Sequence, residues 1–279
     1  MQLGVNGLNA KAAHPPQVTA RLARLAEDLG YTSWWVGEHV VLPSPRTPDT
    51  PMDPRDPILD PLVHLAYVAA LTRRIELGTG IVILPQRNPL VLAKQAASLD
   101  VLSGGRLFLG VGAGYLEPEM TAVGVPFAER GRRTDEYLDA MVQLWTADFP
   151  TMDGRYVRFS DIDAHPRPAS TGGPRIVVGG RSDAALRRAL TRAHGWIGVG
   201  TPDELAADLD RLDALAGEQE RPQRLGPLEI TALQLQPVNQ ATADRFADLG
   251  VDRLLVYPLP LADPDDIARF LEQHAGLAS

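Results

Sequence analysis

Among the six histidines, His39 alone stands at the end of an apolar run and beside a carboxylate, in Trp34-Trp35-Val36-Gly37-Glu38-His39. An imidazole titrates close to neutral pH, so one at the end of a buried strand is suited to general acid or base work. His64 and His194 read as structural. No His-Glu-x-x-His or His-x-His pattern occurs, which leaves no ground for expecting a metal centre. There is no cysteine, and that excludes disulfides, thiolate nucleophiles and Cys-ligated zinc or iron–sulfur sites. A Gly-x-Ser-x-Gly elbow is also lacking. Glu38, Glu117 and Glu119 are carboxylates that strand-end loops could gather, as paired-carboxylate chemistry requires, but the sequence sets no separation between them.

Glycines mark a second set of positions. They recur in Gly78-Thr79-Gly80-Ile81, through which the third strand runs, and at the ends of later strands in Gly112-Ala113-Gly114, Gly179-Gly180-Arg181 and Gly198-Val199-Gly200. Glycine weakens a strand and tends to persist where a turn needs positive φ or a ligand approaches the backbone. Several such ends point to one extended ligand across a common mouth. Gly179-Gly180-Arg181-Ser182-Asp183 is the sharpest case, because it opens a helix whose free N–H groups and dipole favour an anion, usually a phosphate. Arg181 would add a charge-assisted contact, while Arg187 and Arg188, farther along, read as solvated. Neither a Walker loop nor a Gly-x-Gly-x-x-Gly after the first strand is present.

The elements that must carry these residues alternate. Leu3–Asn6 reads as a strand, and Val18, Leu22, Leu25, Ala26 and Leu29 form one helical stripe stopped by Gly30. Seven prolines between Pro43 and Pro61 exclude regular structure and predict a long loop. A helix over Leu62–Leu71 precedes a strand over Ile75–Leu84. Asn88-Pro89 then caps a helix running to about Leu102, followed by a strand over Leu107–Val111 and two helical stretches. An excursion with a turn at Asp153-Gly154 interrupts the rhythm between Thr151 and Pro174. The alternation resumes at Ile176–Val178 and Trp196-Ile197. Thr201-Pro202-Asp203-Glu204 is a capping box. Leu228–Leu235, a helix over Ala241–Leu249, Leu254–Tyr257 and a helix opened by Asp263-Pro264 complete the pattern.

Eight strand–helix units with near-continuously apolar strands predict a parallel sheet covered by helices. In 279 residues this favours one (β/α)8 TIM barrel, residues 1–279, with an inserted excursion after the fourth strand unit. An open doubly wound sheet would show the same periodicity. The formal charge of −8 argues against a nucleic-acid or anionic-membrane surface, though not against a local anion site. No apolar run approaches the ~20 residues of a membrane span, and Met1–Val5 opens no signal peptide. The expectation is a cytoplasmic protein with a small-molecule substrate.

Four segments, Ala26–His39, Ile75–Pro85, Pro89–Tyr115 and Arg175–Gly200, together resemble the bacterial luciferase-like superfamily, (β/α)8 oxidoreductases and monooxygenases that use flavin or deazaflavin F420. The resemblance implies that His39 is the active-site histidine and that Gly80-Ile81 is a non-proline cis peptide supporting the cofactor ring. It places Gly112, Ala113 and Gly114 at a cofactor-contacting turn and Gly179, Gly180 and Arg181 at the cofactor phosphate. Within the superfamily the chain looks closer to the F420-dependent oxidoreductases, since Val40 follows Glu38-His39 where the luciferases carry a His-His pair. That branch moves a hydride between F420 and a substrate carbon, and homodimers are usual. FMN-dependent monooxygenation on the same fold is the alternative, and a non-catalytic flavin- or F420-binding barrel a further one. Relatives that oxidise glucose 6-phosphate carry a carboxylate where this chain has Tyr115, and a Trp shortly after the histidine where it has Val40-Val41-Leu42-Pro43. Glu117 and the Tyr115 hydroxyl are then the candidates to replace that acid, and a less anionic substrate is implied.

Overall fold

A computed structural model of the chain describes residues 1–258 and 262–277. Its first half runs β1 (Gln2–Asn6), α1 (Pro16–Asp28), β2 (Ser33–Val36), α2 (Pro61–Leu71), β3 (Glu76–Thr79), β4 (Val82–Ile83), α3 (Pro89–Ser103), β5 (Leu107–Gly112), α4 (Glu117–Ala122) and α5 (Arg130–Thr146). A short antiparallel hairpin follows, β6 (Met152–Asp153) and β7 (Arg158–Phe159). The second half is β8 (Arg175–Gly179), α6 (Asp183–Arg192), β9 (Gly195–Val199), α7 (Pro202–Ala216), β10 (Glu229–Gln234), α8 (Gln240–Asp248), β11 (Arg253–Val256) and α9 (Pro264–His274).

Outside the hairpin, all strands pair in parallel. β1 lies between β2 and β11, and β3 closes onto β5 through Leu77–Leu107 and Gly78–Phe108. With β4 continuing β3, the strands return on themselves as a closed (β/α)8 barrel, which rules out the open sheet. The hairpin is the expected excursion after the fourth strand unit. Its turn is held by Glu136 of α5, which accepts the backbone N–H groups of Arg155, Tyr156 and Val157 at 3.1, 2.6 and 2.6 Å.

Two features of the sequence explain the layers. Consecutive strand residues face opposite sides, so Trp34 points outward under α2 while Trp35 points into the barrel. There Trp35 packs with Phe108, Val177, Ile197, Leu233 and Leu255. A Cβ on Gly78 would sit 2.1 Å from the Trp35 ring, so glycine is required beside it. The helices start where the caps say. Asn88 accepts the N–H groups of Leu90 and Val91, and the Thr201–Glu204 capping box is fully formed.

Two boundaries differ from expectation. The strand over Ile75–Leu84 is broken in two at Gly80–Ile81, whose peptide bond is cis. Pro61, counted with the loop, is the first residue of α2 behind an Asp60 cap, and the segment before it carries only the isolated bridge Ala10–Ile58. Among the described residues no helix is long and apolar enough to cross a membrane.

His64 of α2 is buried, stacks on Trp34 and accepts the indole N–H at 3.2 Å. Burial pushes its imidazole down to about 4, so it is neutral in the folded chain. Between that value and an ordinary 6.5 the unfolded chain binds a proton the fold excludes. Stability is therefore fully present above pH 6.5 and falls as pH drops toward 4, by roughly 3 kcal/mol for this group. Urea unfolding between pH 7 and 4.5 should show a steeper loss in wild type than in His64→Gln, whose amide can still accept the Trp34 proton. Parallel curves would contradict the assignment.

Candidate functional site

The carboxyl ends of the strands surround a cavity of about 710 Å³. Ile81, Ile197, Leu233 and Tyr257 supply an apolar floor. Asn6, at the end of β1, also lines it, and its buried Oδ1 has no hydrogen-bond partner among the described residues. Met52 and Ile58 of the Pro-rich segment form part of the wall. Asn9 ties that segment down, donating to Gly37 O at 2.9 Å and to Leu59 O at 2.8 Å.

The break in the third barrel strand shapes this floor. The Ile81 side chain packs so tightly over two neighbouring strands that a Cβ on Gly112 would meet its Cδ1 at 2.7 Å, and one on Gly179 its Cγ2 at 2.9 Å. Gly198 makes similar room for the Trp196 ring. These glycines make room for the protein's own side chains, and Gly112 and Gly179 also line the cavity. Glu38 fixes the break. Its Oε2 accepts Ile83 N–H at 2.6 Å and its Oε1 accepts Arg87 Nε–H at 2.8 Å. Arg87 also reaches Asp60 Oδ2 at 2.5 Å, and Asp60 caps α2. Glu38 borders the cavity, but both of its oxygens are engaged by protein donors that hold the strand break.

His39 follows that clamp and faces the cavity, with 14% of its side chain exposed. Its Nδ1 lies 2.9 Å from Oε2 of Glu119 on α4, while Oε1 of Glu119 accepts Val40 N–H at 2.6 Å. A carboxylate acceptor requires the proton on Nδ1, which leaves Nε2 without a hydrogen-bond partner among the described residues. Tyr115 lines the same side with its ring edge-on to His39, centroids 6.1 Å apart. Burial, then Glu119 and Asp49, raise the Tyr115 phenol above its ordinary value, so it remains a donor. Glu117 is exposed in the first turn of α4 and does not line the cavity. The candidate replacement acid is therefore misplaced by two residues, and Glu119 is the carboxylate that reaches the histidine.

Part of the cavity wall is cationic. Gly179, Gly180 and Ser182, at the start of α6, line it together with Arg130, Arg132 and Arg188. Arg181 does not. It turns away to Asp208 Oδ2 at 2.6 Å. Arg187 is partly exposed and paired with Glu218, as a surface residue should be, but Arg188 is buried, bound to Asp135 at 2.7 Å. The helical period explains the difference, because Arg188 shares the inward face of α6 with Ala185 and neighbours Leu186 and Ala189. Arg130 donates to Gly114 O and Phe127 O, whereas Arg132 is exposed without a partner among the described residues. Gly80, Gly112, Ala113 and Gly114 all line the cavity.

Sequence reasoning thus missed Arg130 and Arg132, read Arg188 as solvated, and named Glu119 only among carboxylates that could gather at the mouth. Glu119 carried a faint signal. It neighbours Met120 on the buried face of the short helix, and Glu117, two positions earlier, points elsewhere. The arginines of α5 carried none, since nothing in their spacing says which strand end they approach.

A family model described as luciferase-like monooxygenase matches residues 1–249. A protein of Mycobacterium tuberculosis (strain ATCC 25618 / H37Rv) is 35% identical over 269 residues, covering 92% of each chain. The F420-dependent glucose-6-phosphate dehydrogenase of Kineococcus radiotolerans is 30% identical, covering 91% of this chain and 82% of its own. Among solved structures, the monooxygenase RslO1 from Streptomyces bottropensis superposes with a TM-score of 0.79 at 23% identity, covering 99% of this chain and 98% of its own.

The clamp makes its own prediction. Glu38→Gln leaves Arg87 short of a buried counter-charge and should cost roughly 3 kcal/mol in urea unfolding. Glu117→Gln, on the exposed face of α4, should stay within about 0.5 kcal/mol of wild type. Equal costs would show that Glu38 does not hold the strand break.

Proposed function

The chain belongs to the luciferase-like monooxygenase family, and on that premise we propose that it is an oxidoreductase moving a hydride between deazaflavin F420 and a small organic substrate. The observation that carries the choice of cofactor is the charge of the cavity wall. Lys11, Arg130, Arg132 and Arg188 line it against a single carboxylate, Glu38, in a chain whose net charge is −8. F420 bears a phosphate and an acidic glutamate tail, whereas FMN ends at its phosphate. An exposed, unpartnered Arg132 beyond the Gly179–Gly180 turn suits the longer anion.

The residues present fit such a group. Gly180 and Ser182 at the α6 N-terminus would hold the phosphate together with Arg188 and Arg130. The apolar floor around Ile81 would take the ring, and the unpartnered Asn6 Oδ1 offers an acceptor for a ring N–H. When bound, F420 supplies a two-electron centre that gives or takes a hydride. His39 handles the proton that accompanies it. Nε2 takes the proton from a substrate hydroxyl on oxidation, or returns it to a carbonyl oxygen on reduction. The Pro-rich segment, held by Asn9 and by Lys11–Asp56, shields this end from water and contributes Met52 and Ile58 to an apolar substrate wall.

Fluorescence titration of the purified chain with F420 and with FMN tests the reading. F420 should bind and FMN should bind weakly or not at all. Tight FMN binding without F420 binding would overturn it in favour of the monooxygenase alternative. Arg132→Ala should weaken F420 binding roughly tenfold, the loss of one charge-assisted contact, while Arg181→Ala leaves it unchanged. His39→Ala should keep F420 binding within about threefold and slow single-turnover reduction at least ~100-fold. An unchanged rate would remove His39 from the chemistry.

A further inference from the structure

The reading above gives Nε2 of His39 a task but leaves unexplained why a carboxylate is buried behind it. The Glu119 side chain is fully inaccessible to solvent. Burying an ionised carboxylate is costly unless its oxygens are matched by donors, and here each oxygen has one. Oε2 takes the His39 Nδ1 proton and Oε1 takes the N–H of Val40, the next residue in the chain. The two bonds therefore grip the imidazole and the backbone that carries it. The short helix presenting Glu119 is anchored by Met120, which packs with Ile83 and Val125, so the carboxylate is held by β4 and its surroundings and not by the His39 strand.

From this geometry we propose that Glu119 is the positioning residue for His39. It sets the Nδ1–H tautomer, so that unprotonated Nε2 faces the cavity, and it stabilises the charge that appears on the ring when Nε2 takes up a proton. The inference rests on the proton role given to His39. It assigns to this chain's α4 a task that the turn after β5 cannot perform, because that turn presents Tyr115, a neutral phenol. A backbone carbonyl behind the ring would also fix the tautomer, but it would not balance the positive charge as a carboxylate does.

Nitrogen-15 NMR of the histidine rings tests this without turnover. With the His39 signals assigned by their loss in His39→Gln, wild type above the imidazole titration range should show His39 protonated at Nδ1. A ring protonated at Nε2 would overturn the proposal whatever any variant does. Glu119→Gln conserves volume, and its amide can donate to Nδ1, so the ring should switch to the Nε2–H tautomer. Single-turnover reduction should then fall roughly 10²–10³-fold, with F420 affinity and substrate KM within about twofold. An unswitched tautomer, or a rate loss matched by an equal loss of binding, would contradict positioning. Failure of wild type to bind F420 would instead overturn the cofactor assignment. The wild-type tautomer separates the two failures, because it is read on the chain alone.

Discussion

The mouth of the barrel depends on how its third strand is broken. A continuous strand from Ile75 to Leu84 would point alternate side chains inward and outward and offer the cavity nothing unusual. Instead the chain stops at Thr79, passes through Gly80–Ile81 and resumes at Val82. Ile81 is thereby laid across Gly112 and Gly179, the ends of two neighbouring strands. Glu38 holds the break from the next strand by taking Ile83 N–H and Arg87 in its two oxygens. Because His39 is the next residue, one buried carboxylate fixes the floor under the ring site and the backbone of the proposed acid–base residue. Arg87 extends the same grip to Asp60 and hence to the start of α2 and the end of the Pro-rich segment.

Charge is distributed against the average of the molecule. A net −8 spread over a surface repels anions weakly and is screened over about 10 Å in ordinary salt. Within the cavity the nearby groups decide, and there cations outnumber carboxylates. Arg188 is the instructive case. Buried and paired with Asp135, it is a fixed charge whose desolvation the fold has already compensated, while Arg132 remains free to meet a ligand in water. An anion entering this end meets donors whose positions are largely set beforehand, which lowers the entropic cost of binding. The −8 therefore argues against a polyanion-binding surface without bearing on a local anion site.

The fold was legible in the sequence because its signals are local. Apolar runs mark the strands, Gly30 stops one helix, and Asn88-Pro89 and Thr201–Glu204 start two others through hydrogen bonds within four residues. His39 was legible for the same reason, standing at a strand end. The errors all involve contacts made across the barrel. Gly112 and Gly179 signalled a close approach, and Ile81, some thirty to a hundred residues away, makes one. Arg181 sat in the right turn yet found Asp208 on α7 nearer than the cavity. Arg188 looked like a surface charge until the inward face of α6 was known. Glu117 and Glu119 differ only in which side of one short helix they occupy, and two positions decide whether a carboxylate meets water or His39.

In the proposed function this cavity holds the acidic tail of a deazaflavin on its arginine-lined wall and transfers a proton at His39. The most direct measurement is a crystal structure of the chain grown with F420. It should show ring density over Ile81 near His39, phosphate density at Gly180 and Ser182, and a tail running past Arg130 and Arg132. A phosphate bound away from the α6 N-terminus, or a ring out of reach of His39, would contradict the proposal.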